Sequence, residues 1–244
     1  MISLLRVLII IVPVTVVYAI RIAWAVMRDA PDAKCVCEAI PRKWAKVLLK
    51  AARVDVVLEN AEVIDPEAPQ VMVANHSSWF DVLALSAFMP GPYAFVAKQE
   101  ISRVPFFGPS VGACGHIYID RSDRQKAMES LDRARKRLEE DGPTVIMFPE
   151  GTRSATGEVK AFKKGAFVLA IQTGTEVVPT AIFGAREAMK KGSLLVHPGT
   201  VRIRFGTPIS VEGLQVDDRN ELTRRAREAL IGLLGAEGTT HRTN

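Results

Sequence analysis

Residues 71–89 read VMVANHSSWFDVLALSAFM and join a strand pattern to a helix pattern. VMVA is an uninterrupted apolar run, which is typical of a strand in a sheet that is covered on both faces. From Ser78 onward the pattern is helical, and Asp81 three residues later completes a capping box. His76 therefore lies on the turn between a buried strand and a helix. This order of elements predicts an α/β fold with polar side chains at a strand end.

His76 and Asp81 are five residues apart, a spacing that turns two side chains away from each other on a continuous helix. Because the predicted helix begins at Ser78, the chain bends between them and an imidazole–carboxylate hydrogen bond is allowed. Such a bond fixes the tautomer of the histidine and leaves its other nitrogen as a general base. The alternative is structural, with Asp81 as a helix cap and His76 as an ordinary turn residue. The motif alone leaves both open.

The chain from residue 54 onward alternates short β-rich runs with helical patterns. Strands are predicted at VDVVLE, VMVAN, YAFVAK, HIYID, TVIMFPE, EVVPTAIF and VRIRFG. Helices are predicted at SWFDVLALSAFM, RQKAMESLDRARKRLEEDG, FKKGAFVLAIQTG and DDRNELTRRAREALIGLLG. This alternation predicts a layered αβ domain over residues 54–244, with a largely buried mixed sheet between helices.

FPEGTRS, residues 148–154, follows a buried run at a second predicted strand end. Gly151 permits a tight turn with exposed backbone amides, and Arg153 offers a planar fork that suits phosphate. Glu150 can accept hydrogen bonds from hydroxyl groups. Since ligands of α/β folds bind where strands end, this stretch is a candidate substrate site.

Two further cations stand at predicted strand ends. Arg121 follows HIYID, and Lys98 ends YAFVAK. Each alone is typical of an ordinary surface cation. Together with the His–Asp pair, they predict a pocket for an anionic, hydroxylated substrate.

The positive charge of the chain is confined to its N-terminal segment. Residues 1–53 hold nine Lys and Arg against three Asp and Glu, whereas the remaining residues hold 23 against 24. A nucleic-acid-binding protein would carry a basic stripe on the folded body, so this class is excluded.

The same segment has the pattern of a membrane attachment. Residues 7–20 are uncharged and apolar, and residues 37–54 follow with a basic face opposite an apolar one. The basic face carries Lys43, Lys46 and Lys50, and the apolar face carries Trp44, Val47, Leu48 and Ala51. We expect residues 1–53 to attach the chain to an anionic bilayer, either across it or in one leaflet. A signal peptide or a surface helix packed on the core are the alternatives.

Three cysteines, Cys35, Cys37 and Cys114, are too few and too unevenly spaced for a disulfide framework or a zinc site. We expect reduced thiols in a protein that faces the cytosol. The histidines show no metal-ligand spacing either, so no metal is expected.

Residues 108–112, GPSVG, match the G-x-S-x-G elbow of lipases and esterases. That elbow requires a strand directly before the serine, but SRVPFFGP with its two prolines predicts a loop. A membrane lipid hydrolase that uses Ser110 is the rival enzyme class.

Four blocks, in this order, resemble the glycerolipid acyltransferase family, most closely the bacterial 1-acyl-sn-glycerol-3-phosphate acyltransferases. They are NHSSWFD for its N-H-x4-D block, GHIYIDR for G-x-I-x-I-D-R, FPEGTRS for F-P-E-G-T-R-S, and VVPTAI for V-x-P. The resemblance implies a membrane-attaching helical segment before an αβ domain that makes phosphatidic acid at the cytoplasmic face of the inner membrane.

The resemblance also implies roles for individual residues. His76, oriented by Asp81, deprotonates the free sn-2 hydroxyl of lysophosphatidic acid, which attacks an acyl thioester directly. Acyl-CoA or acyl-carrier protein is the donor, and no cofactor is implied. With Lys98 added from the strand-end pattern, the substrate-binding set is Glu150, Gly151, Thr152, Arg153, Arg121 and Lys98. Another lysolipid or glycerol 3-phosphate as acceptor, and a membrane-binding module without catalysis, remain alternatives.

Overall fold

The computed structural model describes residues 4–28, 33–120, 123–142 and 144–235. Within these ranges seven strands form one sheet, in the order β1-β7-β6-β2-β5-β3-β4. The strands are β1 Val54–Glu59, β2 Gln70–Ala74, β3 Tyr93–Lys98, β4 Ile117–Ile119, β5 Thr144–Met147, β6 Val177–Phe183 and β7 Gly199–Phe205. All seven predicted strands are confirmed, and so is the mixed sheet, because β6 and β7 run antiparallel while the other neighbours are parallel.

Helices cover both faces of this sheet. They are α1 Leu4–Met27, α2 Ala33–Ala52, α3 Trp79–Phe88, α4 Phe107–Ala113, α5 Arg124–Asp141, α6 Gly165–Thr173, α7 Ala185–Ala188 and α8 Arg219–Gly235, with 3-10 turns at Ala61–Val63, Gln99–Arg103 and Val216–Asp218. The four helices predicted in the body are α3, α5, α6 and α8. The loop predicted at SRVPFFGP is wrong in part, because the chain forms α4 from Phe107 onward.

The sheet separates two apolar cores. One core lies under α2 and α3 and includes Leu48, Leu49 and Leu85. The other lies under α5, α6 and α8 and includes Phe167 and Leu222. Strands buried between two such layers are apolar on both faces, which explains the continuous apolar runs in the sequence.

The parallel strands β2, β5 and β3 are neighbours, so their carboxyl ends meet at one edge of the sheet. The stretches that follow β2 and β5, residues 75–78 and 148–154, therefore lie side by side. Ser154 N–H donates to the His76 carbonyl at 2.7 Å, which joins the two stretches directly.

Pro179 lies inside β6, a central strand, although its nitrogen cannot donate to a ladder. Its carbonyl accepts from Gly206 N–H at 2.8 Å, so the side of Pro179 that lacks a donor faces β7. The regular pairing of β6 with β7 begins only at Thr180. Pro179, which lacks a backbone N–H, thus lies at the end of the β6–β7 ladder, where no regular hydrogen bond is lost.

The two N-terminal helices differ in their surroundings. In α1 the segment Ile9–Val26 has a mean hydropathy of 2.2 and is only 17% buried, so by length and composition it could cross a membrane. In α2, by contrast, Ala45, Leu48 and Leu49 are buried in the core beside α3. The packing of α2 on the body, which was one of the alternatives, is therefore present.

Cys37 in α2 and Cys114 after α4 form a disulfide, with their Cα atoms 5.0 Å apart. The prediction of reduced thiols is wrong for this pair. The fold brings together two cysteines that are 77 residues apart in sequence, which spacing alone does not reveal.

Candidate active site

His76 and Asp81 meet at the amino end of α3. His76 Nδ1 lies 2.8 Å from Asp81 Oδ2, and the Asp81 side chain is fully buried while that of His76 is 16% exposed. A carboxylate can only accept, so in the neutral imidazole Nδ1 carries the proton and Nε2 keeps its lone pair. Among the described residues no hydrogen bond occupies Nε2. The ring therefore has the arrangement of an oriented base.

The turn between the two residues is built by the helix cap. Ser78 Oγ accepts from Phe80 N–H at 3.2 Å, and Asp81 Oδ2 accepts from the amides of Ser77 and Ser78 at 2.7 and 2.8 Å. The predicted capping box is present. Asp81 thus caps the helix and holds His76 with the same oxygen, so the two roles that the sequence left as alternatives coexist.

The 148–154 loop holds His76 from the other side. The imidazole stacks on the Phe148 ring, with centroids 4.1 Å apart and planes at 18°. Glu150 Oε1 accepts from the backbone N–H of His76 at 2.8 Å, and Glu150 Oε2 accepts from the backbone N–H of Lys160 at 3.1 Å. Burial raises the pKa of Glu150, and these two backbone hydrogen bonds offset part of that rise. Each Glu150 oxygen accepts a hydrogen bond from a backbone amide, so Glu150 holds the turn at His76, and its role in substrate binding stays a prediction.

Gly151 sits at the tight turn that the sequence predicted, with a φ of +74°. A Cβ added to Gly151 would lie 2.9 Å from Lys163 Cε, so a larger residue would need both a strained backbone and a displaced lysine. Gly151, Thr152 and Arg153 all line the same cavity as His76. The Arg153 guanidinium lies 5.0 Å from the centre of the Trp79 ring.

The structure places Lys98 at the cavity, whereas it does not describe Arg121. Lys98 lines the cavity at the end of β3 and pairs with Glu100 at 2.6 Å, and both side chains are more than half exposed. Arg121 lies outside the described residues. Among the described ion pairs none involves Arg153, so its guanidinium remains available to an anion.

The cavity beside His76 has a volume of about 530 Å³ and a mostly apolar wall. Residues of α1, α2, α3, β3 and α4 line it together with the 148–153 stretch, so the N-terminal helices form part of the site wall. Pockets of this size hold drug-sized ligands or lipid chains.

Two polar residues of the cavity wall are held by the protein itself. His116 Nδ1 accepts from Phe95 N–H at 3.0 Å, and burial, together with nearby Arg137, lowers the pKa of His116 to about 4. Ser110 Oγ donates to the Phe107 carbonyl at 2.8 Å within α4. A 3-10 turn and the first turn of α4, rather than a strand, lie directly before Ser110, so this position does not have the nucleophile elbow of a hydrolase.

Sequence patterns did not identify three residues of the site. Phe148 stacks on His76, Asn75 clamps β6 through the Ile182 amide and carbonyl at 2.7 and 2.9 Å, and Lys191 Nζ donates to the Arg153 carbonyl at 2.9 Å. Phe148 lies inside the FPEGTRS motif and Asn75 inside the NHSSWFD motif, so their places in these motifs could have marked them as residues of the site. Lys191 is 38 residues from Arg153, and only the fold brings them together.

Among the described residues there is no group of three or more His, Cys, Asp and Glu side chains that could hold a metal ion. Two cationic side chains, Lys98 and Arg153, line the cavity. Such a set suits an anion rather than a cation.

The acyltransferase family model matches residues 55–183, which is more than half of the chain. A 1-acyl-sn-glycerol-3-phosphate acyltransferase of Saccharomyces cerevisiae is 32% identical over 168 residues, covering 68% of this chain and 55% of the yeast protein. One from Chlamydomonas reinhardtii is 39% identical over 139 residues, covering 57% of this chain and 41% of that protein. The chain thus spans about half the length of these relatives.

A solved structure resembles almost the whole chain. It is the crystal structure of the 1-acyl-sn-glycerophosphate (LPA) acyltransferase PlsC from Thermotoga maritima, with a TM-score of 0.81 and 27% identity. The match covers 99% of this chain and 96% of that one, so it includes the N-terminal helices as well as the body. The resemblance drawn from the four sequence blocks is confirmed: the chain belongs to the acyltransferase family.

Proposed function

We propose that the chain transfers an acyl group from a thioester to the free sn-2 hydroxyl of 1-acylglycerol 3-phosphate and so forms phosphatidic acid. The observation that carries the proposal is the His76–Asp81 pair, 2.8 Å apart and facing a lipid-sized cavity with Arg153 on its wall. The names of the relatives in yeast and Thermotoga support the choice of acceptor.

The chemistry needs one base and no covalent enzyme intermediate. His76 Nε2 takes the hydroxyl proton as the oxygen attacks the thioester carbonyl, giving a tetrahedral oxyanion. When the oxyanion collapses, the carbon–sulfur bond breaks and the thiolate leaves with the proton from His76. Asp81 holds the Nδ1–H throughout and stabilises the transient imidazolium. The proton returns, so His76 ends each cycle neutral.

The phosphate of the acceptor has a proposed place beside His76. Arg153 offers a guanidinium fork, Lys98 offers a second cation, and Gly151 and Thr152 belong to the same wall. Arg121 is kept in this set from the sequence. The apolar remainder of the cavity then takes an acyl chain.

The location and the donor follow from the same proposal. A lipid acceptor requires a bilayer, and α1 with its exposed apolar surface provides the attachment. We place the site at the cytoplasmic face of the inner membrane, where acyl-CoA and acyl-carrier protein are both available as donors. The reaction as written uses no cofactor.

Competition between acceptors tests the proposal. Labelled acyl-CoA is offered with equal amounts of lysophosphatidic acid, glycerol 3-phosphate and lysophosphatidylcholine, and the lipid products are separated by chromatography. Phosphatidic acid is the expected main product. Lysophosphatidic acid or phosphatidylcholine as the main product would assign a different acceptor, and free fatty acid alone would indicate a hydrolase.

A further inference from the structure

The loop between α7 and β7 carries an exposed apolar tip. Leu194 and Leu195 are 60% and 43% exposed, and the exposed Lys190 and Lys191 lie just before them. Single exposed apolar residues are common on soluble surfaces. Two adjacent leucines next to two lysines instead give the apolar-plus-basic composition of lipid-contacting segments.

Both ends of this loop are fixed to the body by hydrogen bonds and packing, so the fold holds its tip on the surface. The Met189 carbonyl accepts from Ser78 Oγ at 2.8 Å, at the cap of α3. After the tip, Val196 is buried, and the His197 amide donates to the Ala188 carbonyl at 2.9 Å. Between these anchors the chain turns outward at Gly192, which has a φ of +82°.

The tip lies beside the cavity wall. Lys191 Nζ donates to the Arg153 carbonyl at 2.9 Å and approaches Thr152 Oγ1 at 3.4 Å, and both partners line the cavity. Trp79, which is 44% exposed, lines the same cavity under the Arg153 guanidinium. The exposed ring of Trp79 and the cation of Arg153 therefore line the cavity, and Lys191, three residues before Leu194, contacts the same wall.

The tip and α1 belong to the same side of the sheet. Val196 is part of the core under α2 and α3, and Met189 packs against that core, as do Ile10 and Val14 of α1. The exposed apolar surface of α1 and the exposed leucines are thus two apolar regions on one side of the molecule.

We propose that residues 190–195 are a second lipid-contact site, in which Leu194 and Leu195 enter the interface of an anionic bilayer and the two lysines meet lipid phosphates. The inference rests on the proposed function, because a bilayer-borne acceptor gives the opening a reason to lie at the headgroup level. A second copy of the chain fits the tip less well. A two-fold contact would place the lysine pair of one copy against the same pair of the other.

A fluorescent probe tests the contact without any turnover. An environment-sensitive label is placed at Leu194→Cys in a full-length chain that carries Cys35→Ser, keeps the Cys37–Cys114 disulfide and has an unchanged circular dichroism spectrum. The matched control is Ile231→Cys, which is 39% exposed on α8 at the opposite face of the sheet. With vesicles of phosphatidylethanolamine and phosphatidylglycerol, we expect a blue shift at position 194 only. The same response at both positions overturns the proposal.

Kinetics supply the second arm. We expect Leu194→Glu with Leu195→Glu to slow acylation of vesicle-borne lysophosphatidic acid about tenfold. With a dissolved short-chain acceptor, the double variant should acylate within about twofold of the wild-type rate. The control Ile231→Glu should stay within about twofold of the wild type on both the vesicle-borne and the dissolved acceptor. Equal loss on both acceptors, or a dimer that the double variant dissociates, contradicts a lipid contact. A blue shift without any phosphatidic acid from the wild type would reject the proposed function and leave the lipid contact standing.

Discussion

At the scale of single residues, Asp81 Oδ2 accepts hydrogen bonds from His76 Nδ1 and from the amides of Ser77 and Ser78. These contacts connect the start of a helix to the orientation of the His76 ring. A side chain that caps a helix is a common sequence feature, so the pattern alone could not assign a catalytic role. The 2.8 Å approach to the imidazole is what the sequence could not supply.

Asp81→Asn tests the orienting role. The amide oxygen can still accept from the backbone, but the side chain has no charge to stabilise an imidazolium, and its amide group can favour the wrong tautomer. We expect kcat/KM to fall by about a hundredfold or more, measured as initial rates of phosphatidic acid formation. The control is Asp123→Asn, since Asp123 caps α5 and no contact joins it to His76. Equal losses in both variants would mean that only capping matters.

His116 makes a prediction about stability and pH. Burial, with Arg137 nearby, lowers its pKa from 6.5 to about 4, so below pH 6.5 the unfolded chain binds a proton that the folded chain does not. The free energy of unfolding should therefore decrease as the pH falls from 6.5 to 4, by up to about 3 kcal/mol. In denaturant titrations His116→Gln should show a smaller decrease, whereas exposed His197→Gln should follow the wild type. Parallel curves for all three proteins would contradict this assignment.

At the scale of elements, strands were the easiest part to predict. A short, continuous apolar run such as TVIM is typical of a buried strand, and the fold places it in β5 as the local pattern predicts. The α4 helix was missed because Gly108, Pro109 and Gly112 are weak helix formers in the interior of a helix. Packing of α4 against α1 and α2, including Trp44 on Phe107 at 5.5 Å, overrides that local preference.

The tight turn of the 148–154 loop gives a prediction at this scale. Gly151→Ala forces a left-handed residue with a Cβ, which costs about 1–2 kcal/mol, and pushes on Lys163. Because the loop holds the His76 backbone, we expect a drop in kcat larger than the drop in stability explains. Gly213→Ala is matched, since Gly213 has a φ of +77° and open space around its Cβ position. If Gly151→Ala and Gly213→Ala had similar melting temperatures and also similar kcat values, the turn at Gly151 would not position His76.

At the scale of the whole molecule, the N-terminal helices line the site and are also the predicted membrane attachment. Charge and hydropathy separated residues 1–53 from 54–244, and they could not show that Thr15, Tyr18 and Trp44 line the cavity. Strand order and long-range contacts, such as Lys191 to Arg153, were likewise beyond any local pattern. The division into an attachment and a body stays a prediction.

Two truncations test that division. Removing residues 1–28 should strongly weaken sedimentation with vesicles, although the proposed contact at residues 190–195 remains, and should leave a cooperative thermal transition by circular dichroism. Removing residues 1–53 also takes away buried Leu48 and Leu49, each worth about 1.5–3 kcal/mol, against a total stability of about 5–15 kcal/mol. We expect that shorter chain to lose its cooperative transition. An unchanged melting temperature for residues 54–244 would show that the body folds alone.

The central claim is that His76 is the base of a direct acyl transfer, and one comparison tests it most directly. His76→Ala and His197→Ala, purified side by side and matched in circular dichroism, are assayed with labelled acyl-CoA and lysophosphatidic acid. The account predicts that His76→Ala loses phosphatidic acid formation by at least about a hundredfold and that exposed His197→Ala keeps the wild-type rate. Turnover by His76→Ala near the wild-type rate would contradict the account.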